Sequence, residues 1–139
     1  MIKNKLTAIS ATAIISAMTF AGCGGGCGCG NPDDVITNGA VVKGLLVNAK
    51  VCVDQNYNNK CDATEPNDIT DVNGYYSISG NYSGYPLVVE STSASLDKAT
   101  AQPFVGYMYA PQNGSATRNI TMFTTLNKVM IDLDLPHEN

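Results

Sequence analysis

The order of apolar and polar residues divides the chain into three stretches. Leu6 to Phe20 is a mainly apolar run of about 15 residues without a charge, short of the roughly 20 that a membrane-spanning helix needs. Gly24 to Gly30 is almost purely glycine and cysteine, with Asn31-Pro32-Asp33-Asp34 after it. That stretch has no side chains from which to build a core and reads as a flexible tether. From Gly39 onward short β-like runs alternate with turn signals. Val41 to Val47 is the first predicted strand. Ala49, Val51 and Val53 then alternate with Lys50, Cys52 and Asp54, the period of a half-buried strand. Asn73-Gly74, between Ile69-Thr70 and Tyr75 to Ser79, predicts a hairpin. Pro86 to Thr92 and Phe104 to Ala110 read as further strands. Phe123, Leu126, Val129, Met130 and Leu133 recur at helical spacing, with Thr121 or Thr124 as N-cap and Pro136 as the stop. The helix is expected to lay this apolar stripe on its own domain's core; a further domain is the other surface it could cover. The strand spacing predicts a sandwich and not βαβ units, so the fold class is all-β with a short C-terminal helix.

The first stretch has the parts of an export signal. Lys3 and Lys5 give a positive start, the apolar run follows, and Ala21-Gly22-Cys23 closes it with small residues before a cysteine. The plain alternatives are an ordinary cleaved leader or a weak membrane anchor. Phe20-Ala21-Gly22-Cys23 resembles the bacterial lipobox, which implies acylation of Cys23 (a diacylglycerol and a palmitate-type chain) and cleavage before it. The expected organisation is therefore a signal peptide over 1–22, a lipidated tether over 23–38 and a folded module over 39–139. Each buried methylene adds about 0.8 kcal/mol, so several acyl chains hold such a protein firmly to a membrane. Gly24, standing where an aspartate would favour retention at an inner membrane, allows an outer membrane or cell surface as the destination. Outside the cytoplasm Cys52 and Cys61 can pair as a disulfide. Cys27 and Cys29 stay open among a strained disulfide, an interchain link and a soft-metal site.

Composition narrows the function classes. The formal net charge is −4 and falls further once Lys3 and Lys5 leave with the leader, so no basic surface remains for nucleic acid. The single imidazole is His137, near the end of the chain, where it cannot assemble a Ser-His-Asp arrangement or a His-rich metal site. A non-catalytic role is expected.

Asp54-Gln55-Asn56-Tyr57-Asn58-Asn59-Lys60-Cys61-Asp62-Ala63-Thr64-Glu65 carries the chemistry. As a twelve-residue calcium loop it supplies side-chain oxygens from Asp54, Asn56, Asn58, Asp62 and Glu65, and the carbonyl of Lys60 at position seven. A short loop must wrap a hard cation with six to eight oxygens at about 2.3–2.6 Å, which alternate residues can do. Position six, usually glycine, is Asn59, which tolerates a left-handed backbone better than most residues. A strand precedes the loop, so this is no EF-hand. The plain alternative is a polar loop rich in Asx turns. A Cys52–Cys61 bridge would close about ten residues, worth roughly 2.5–3 kcal/mol in the chain-entropy account.

Several motifs together resemble a bacterial surface-lipoprotein module of the transthyretin-like, carboxypeptidase-regulatory type. They are Gly44 followed by Ala49-Lys50-Val51-Cys52-Val53-Asp54, then Asn56, Asn58, Cys61-Asp62 and Glu65-Pro66, then Thr70-Asp71 with Asn73-Gly74-Tyr75-Tyr76. Pro103-Phe104-Val105-Gly106 and Thr124-Thr125-Leu126 match later parts, and the loop is similar to that of calcium-binding B-type adhesin repeats. The resemblance spans Gly39 to Met130. It implies an Ig-like or transthyretin-like β-sandwich, a surface location and calcium, and no reaction. The expected role is structural or adhesive, on a lipid tether, with a cell-surface protein or glycan as partner. The alternative is a carbohydrate- or ligand-binding module using Tyr75, Tyr76, Tyr82, Tyr85, Tyr107 and Tyr109. A helix with an apolar stripe so close to Asn139 is also what the N-terminal module of a longer lipoprotein would carry.

Overall fold

The computed structural model describes residues 35–135. The signal segment, Cys23, the tether as far as Asp34 with Cys27 and Cys29, and Pro136 and His137 lie outside the described residues. The first strand, β1 (Ile36–Val42), starts three residues before the expected module boundary at Gly39. The expected strand from Val41 to Val47 is broken: Leu45 takes a φ of 65°, and a separate short strand, β2 (Leu46–Val47), follows the turn. The chain continues through β3 (Lys50–Val53), β4 (Asn67–Ile69), β5 (Tyr75–Ser79), β6 (Leu87–Ser91), β7 (Leu96–Asp97), β8 (Gln102–Pro103), β9 (Gly106–Ala110) and β10 (Ile120–Thr121) into one helix, α1 (Met122–Asp132).

The strands form three sheets, ordered β10-β1-β5, β2-β7-β8 and β4-β3-β6-β9. In and just after β3 the alternate positions Cys52 and Asp54 are buried as well, so the strand is covered on both faces and is not half-buried as expected; Val51 and Val53, with Ala49 before them, face the core. They meet Leu87 and Val89 of β6 and Met108 and Ala110 of β9 on one side, and Val41, Tyr76, Ile78 and Ile120 of the first sheet on the other, in a single apolar cluster. Each fully buried side chain of the size of Leu87 or Val41 contributes roughly 1.5–3 kcal/mol, which makes this sandwich-like core the main source of stability.

Asn73-Gly74 does make a turn, with the Gly74 N–H bonded to Asp71 O at 2.9 Å, but it joins no hairpin. β4 pairs with β3 and β5 pairs with β1, so the turn carries the chain from one sheet to the other. Only Gly74 of the pair has a positive φ, 74°, whereas the type I′ hairpin turn that Asn-Gly favours needs both residues there.

Arg118 ties the loops at one end. It is 3% exposed, and its Nη1 donates to the carbonyls of Tyr85 and Pro111 at 2.7 and 3.2 Å while Nη2 donates to that of Tyr82 at 2.9 Å. The Arg118 carbonyl accepts the Tyr76 hydroxyl at 2.6 Å and sits where a Cβ on Gly39 would have to go. Burial pushes the Tyr76 phenol far above its ordinary value, with the charge of Arg118 pulling the other way.

Thr121 caps α1, accepting the Thr124 N–H while Thr124 Oγ1 accepts the Thr121 N–H. The helix is fastened to β9 by hydroxyls. Tyr109 N–H donates to Thr125 Oγ1 at 3.0 Å, and Thr124 Oγ1 donates to Tyr109 O at 2.8 Å. Its inward side therefore carries Thr124, Thr125 and the buried Lys128. The apolar stripe points the other way: Phe123 is 84% exposed, and Leu126, Val129 and Leu133 are exposed with it. The expectation that this stripe packs on the domain's own core is overturned. The strand edge at Tyr109 offers polar backbone groups, which threonines can satisfy and leucines cannot. No helix among the described residues is long and apolar enough to cross a membrane.

Candidate functional site

The loop from Asp54 to Glu65 leaves the end of β3 and returns to β4. Its stem is closed by the bond from Val53 N–H to Pro66 O at 2.9 Å, and its first residue is tied to the start of β6 by Asp54 N–H to Pro86 O at 3.0 Å. A disulfide joins Cys52 and Cys61, with Cα atoms 5.4 Å apart. Cys61 Sγ lies 3.8 Å from the carbonyl oxygen of Val88, so the loop folds back over β6. The bridge expected from the export context is present.

Two buried carboxylates staple the loop from within. Asp54, fully buried, accepts the N–H of Asn58 at 3.0 Å and that of Asn59 at 2.9 Å, one on each oxygen. Glu65 accepts Gln55 N–H at 2.9 Å and Asp62 N–H at 3.0 Å. These bonds fix positions two, five, six and nine relative to the loop ends. Asn59 has a φ of 61°, the left-handed backbone that the sixth position requires and that Asn reaches more easily than most residues.

The middle of the loop is a chain of Asx turns. Asn56 Oδ1 accepts Asn58 N–H at 3.1 Å, and Asn58 Oδ1 accepts Lys60 N–H at 2.8 Å. Both carboxamides also aim at one atom: Asn56 Nδ2 and Asn58 Nδ2 donate to Asp62 Oδ2 at 2.7 and 2.8 Å. Of the six residues expected to ligate, Asn56, Asn58 and Asp62 thus converge on a point. Asp54 and Glu65 are turned to backbone amides, and Lys60 takes part through its N–H. Among the described residues, no three His, Cys, Asp or Glu side chains stand close enough together to hold a metal ion.

One partnership was not legible in the spacing. Lys128, 8% exposed on α1, donates to Asn59 Oδ1 at 2.9 Å and pairs with Asp132 at 2.6 Å. Asn59 Nδ2 donates in turn to Asp132 at 3.2 Å. The i,i+4 spacing of Lys128 and Asp132 could have been read from the sequence; their contact with a loop residue 69 positions away could not. Tyr109, bonded to the same helix through Thr124 and Thr125, feels the charge of this junction. Burial pushes its phenol up, and the charges of Tyr107, Asp132 and Asp54 add to the rise.

The tyrosines do not share one surface. Tyr82 and Tyr85 pack against the core, whereas Tyr107 is about half exposed and stacks on Tyr109, ring centres 6.4 Å apart and planes 10° from parallel. Tyr75 and Tyr76 line a shallow cavity of about 400 Å³ with Asn38, Ser77 and Asn119. No family model, curated protein or solved structure matches the chain.

Proposed function

We propose that this protein is a lipid-anchored, non-catalytic β-domain of a bacterial surface, Ig-like or transthyretin-like in its sandwich, whose 54–65 loop is set by calcium and whose role is structural or adhesive. The observation that carries the calcium reading is the convergence of Asn56, Asn58 and Asp62 on one point of a loop already closed by a disulfide. The donor set suits a hard cation. Every carboxamide or carboxylate oxygen that accepts one N–H keeps a further lone pair, so Asn56 Oδ1 and Asn58 Oδ1 could face an ion while keeping their bonds to the Asn58 and Lys60 amides. Asp54, Asn56, Asn58, Asp62, Glu65 and the Lys60 carbonyl are the groups that would hold the ion, and calcium takes six to eight such oxygens. Bound, it would supply rigidity, not chemistry.

The test is the melting temperature in chelator and in calcium. At roughly 1 mM calcium and a dissociation constant near 0.1 mM, usual for extracellular modules, mass action adds about 1.4 kcal/mol, several degrees for a domain of this size. Asp54 and Glu65 also staple the loop, so substituting them changes stability with or without an ion. Asp62→Asn is the cleaner variant and should erase the calcium-dependent shift, while Asp134→Asn, outside the loop, should leave it intact. An identical melting temperature in chelator and in millimolar calcium for the native chain refutes the reading and leaves an Asx-turn loop. Lipidation is tested separately: Cys23→Ser should leave the detergent phase.

The Tyr107–Tyr109 stack favours a second reading, a surface that binds sugar rings. Glycan-array binding lost in Tyr107→Ala would support it; an array without signal would remove it.

A further inference from the structure

We propose that α1 is a homodimer seam, pairing with α1 of a second copy of this chain. Met122, Leu126, Val129 and Leu133 are spaced four, three and four residues apart, the repeat that lets one helix set its knobs into the holes of another. All four are exposed, between 41 and 63%, and Phe123 flanks them at 84%. The helix cannot roll to bury them. Its opposite side is held by the Thr124 and Thr125 hydroxyls on Tyr109 and by Lys128 on Asn59 and Asp132.

Area and charge select the occupant. At these exposures the five side chains present on the order of 500 Å², the upper end of what monomers leave bare and more than half of the roughly 800 Å² that each partner gives a standard interface. No charged side chain interrupts the seam. The one lysine of the helix is turned inward to Asp132 and the chain is acidic overall, so nothing here attracts anionic lipid headgroups. α1 is the sole helix among the described residues, and a second copy presents the same seam, so that two copies can set knobs into each other's holes about a two-fold axis.

The experiment places a photo-crosslinking phenylalanine analogue at Phe123 of the full chain, in cells producing two differently tagged copies. The expected result is an adduct of twice the chain mass carrying both tags. It should be absent when the probe stands at Val72 or Val105, exposed apolar positions away from the helix, and at least tenfold weaker when Val129→Asp is added. Circular dichroism of that variant checks that the fold is kept. Adducts with lipid alone, adducts with another protein alone, or no adduct at all would each overturn the proposal.

Discussion

Replacing Arg118 by Met keeps most of the side-chain volume and removes the guanidinium, which leaves the carbonyls of Tyr82, Tyr85 and Pro111 without their donor. Hydrogen bonds to a charged donor contribute roughly 1.5–3 kcal/mol each, so three give a gross loss of about 4.5–9 kcal/mol. Against this stands the relief of a buried charge, since taking a guanidinium out of water costs several kcal/mol; burial already pulls the Arg118 pKa down. The expected net loss is about 3 kcal/mol, a large share of the roughly 5–15 kcal/mol that holds a domain together. At about 4–8 °C per kcal/mol the melting temperature should fall by roughly 12–24 °C. Urea unfolding followed by tyrosine fluorescence measures it directly, with an unchanged slope showing that the surface exposed on unfolding is the same and that the midpoint shift reports stability. Arg118→Lys should recover less than half of the loss, because an ammonium cannot span carbonyls from separate loops. A loss below about 1 kcal/mol in Arg118→Met would show that water satisfies those carbonyls and that the guanidinium does not tie the loops together.

Three further outcomes follow from the same geometry. Asp132→Ala leaves the Lys128 ammonium with Asn59 as its remaining partner and should cost about 1 kcal/mol in urea unfolding, discounted because Asp132 is partly exposed. At Asp97, burial opposes the charge, but the ion pair with Lys43 and the amides of Ala99 and Thr100 outweigh it and hold the pKa below its ordinary value. Its stabilisation is therefore present above the ordinary carboxylate range and lost as pH falls through and below it. Asp97→Asn should accordingly flatten the acid limb of a stability–pH curve, and an unchanged limb would refute the assignment. Gly39→Ala drives a Cβ into the Arg118 carbonyl and should lower stability by several kcal/mol, read as a shift in the urea midpoint.

The strands that pattern could find are those with enough residues to show a period. β3, β6 and β9 lie close to where alternation and apolar runs put them, whereas β2, β7, β8 and β10 have two residues each and exist because a distant partner pairs with them. The turn at Asn73-Gly74 was legible, but the partners of its flanking strands were not. The helical stripe was legible too, and its direction was not. Amphipathicity says that two faces differ, and the polar demand of the Tyr109 strand edge decided which faced inward. For the loop, the spacing of Asp54, Asn56, Asn58, Asp62 and Glu65 and the need for a left-handed residue at Asn59 could be read in advance. The disulfide could be read as well. The clamp from Asn59 to Lys128 depends on where the chain returns after more than sixty residues, which no local pattern encodes.

The threonine hydroxyls on Tyr109 have a consequence for life in a crowd. β9 is the last strand of its sheet, and a bare outer strand invites a neighbouring chain to add itself as the next one. Here the Tyr109 amide and carbonyl are already engaged by Thr125 and Thr124, so that docking position is sealed. At this edge, copies packed side by side could touch through side chains without a neighbour adding itself to β9 across Tyr109.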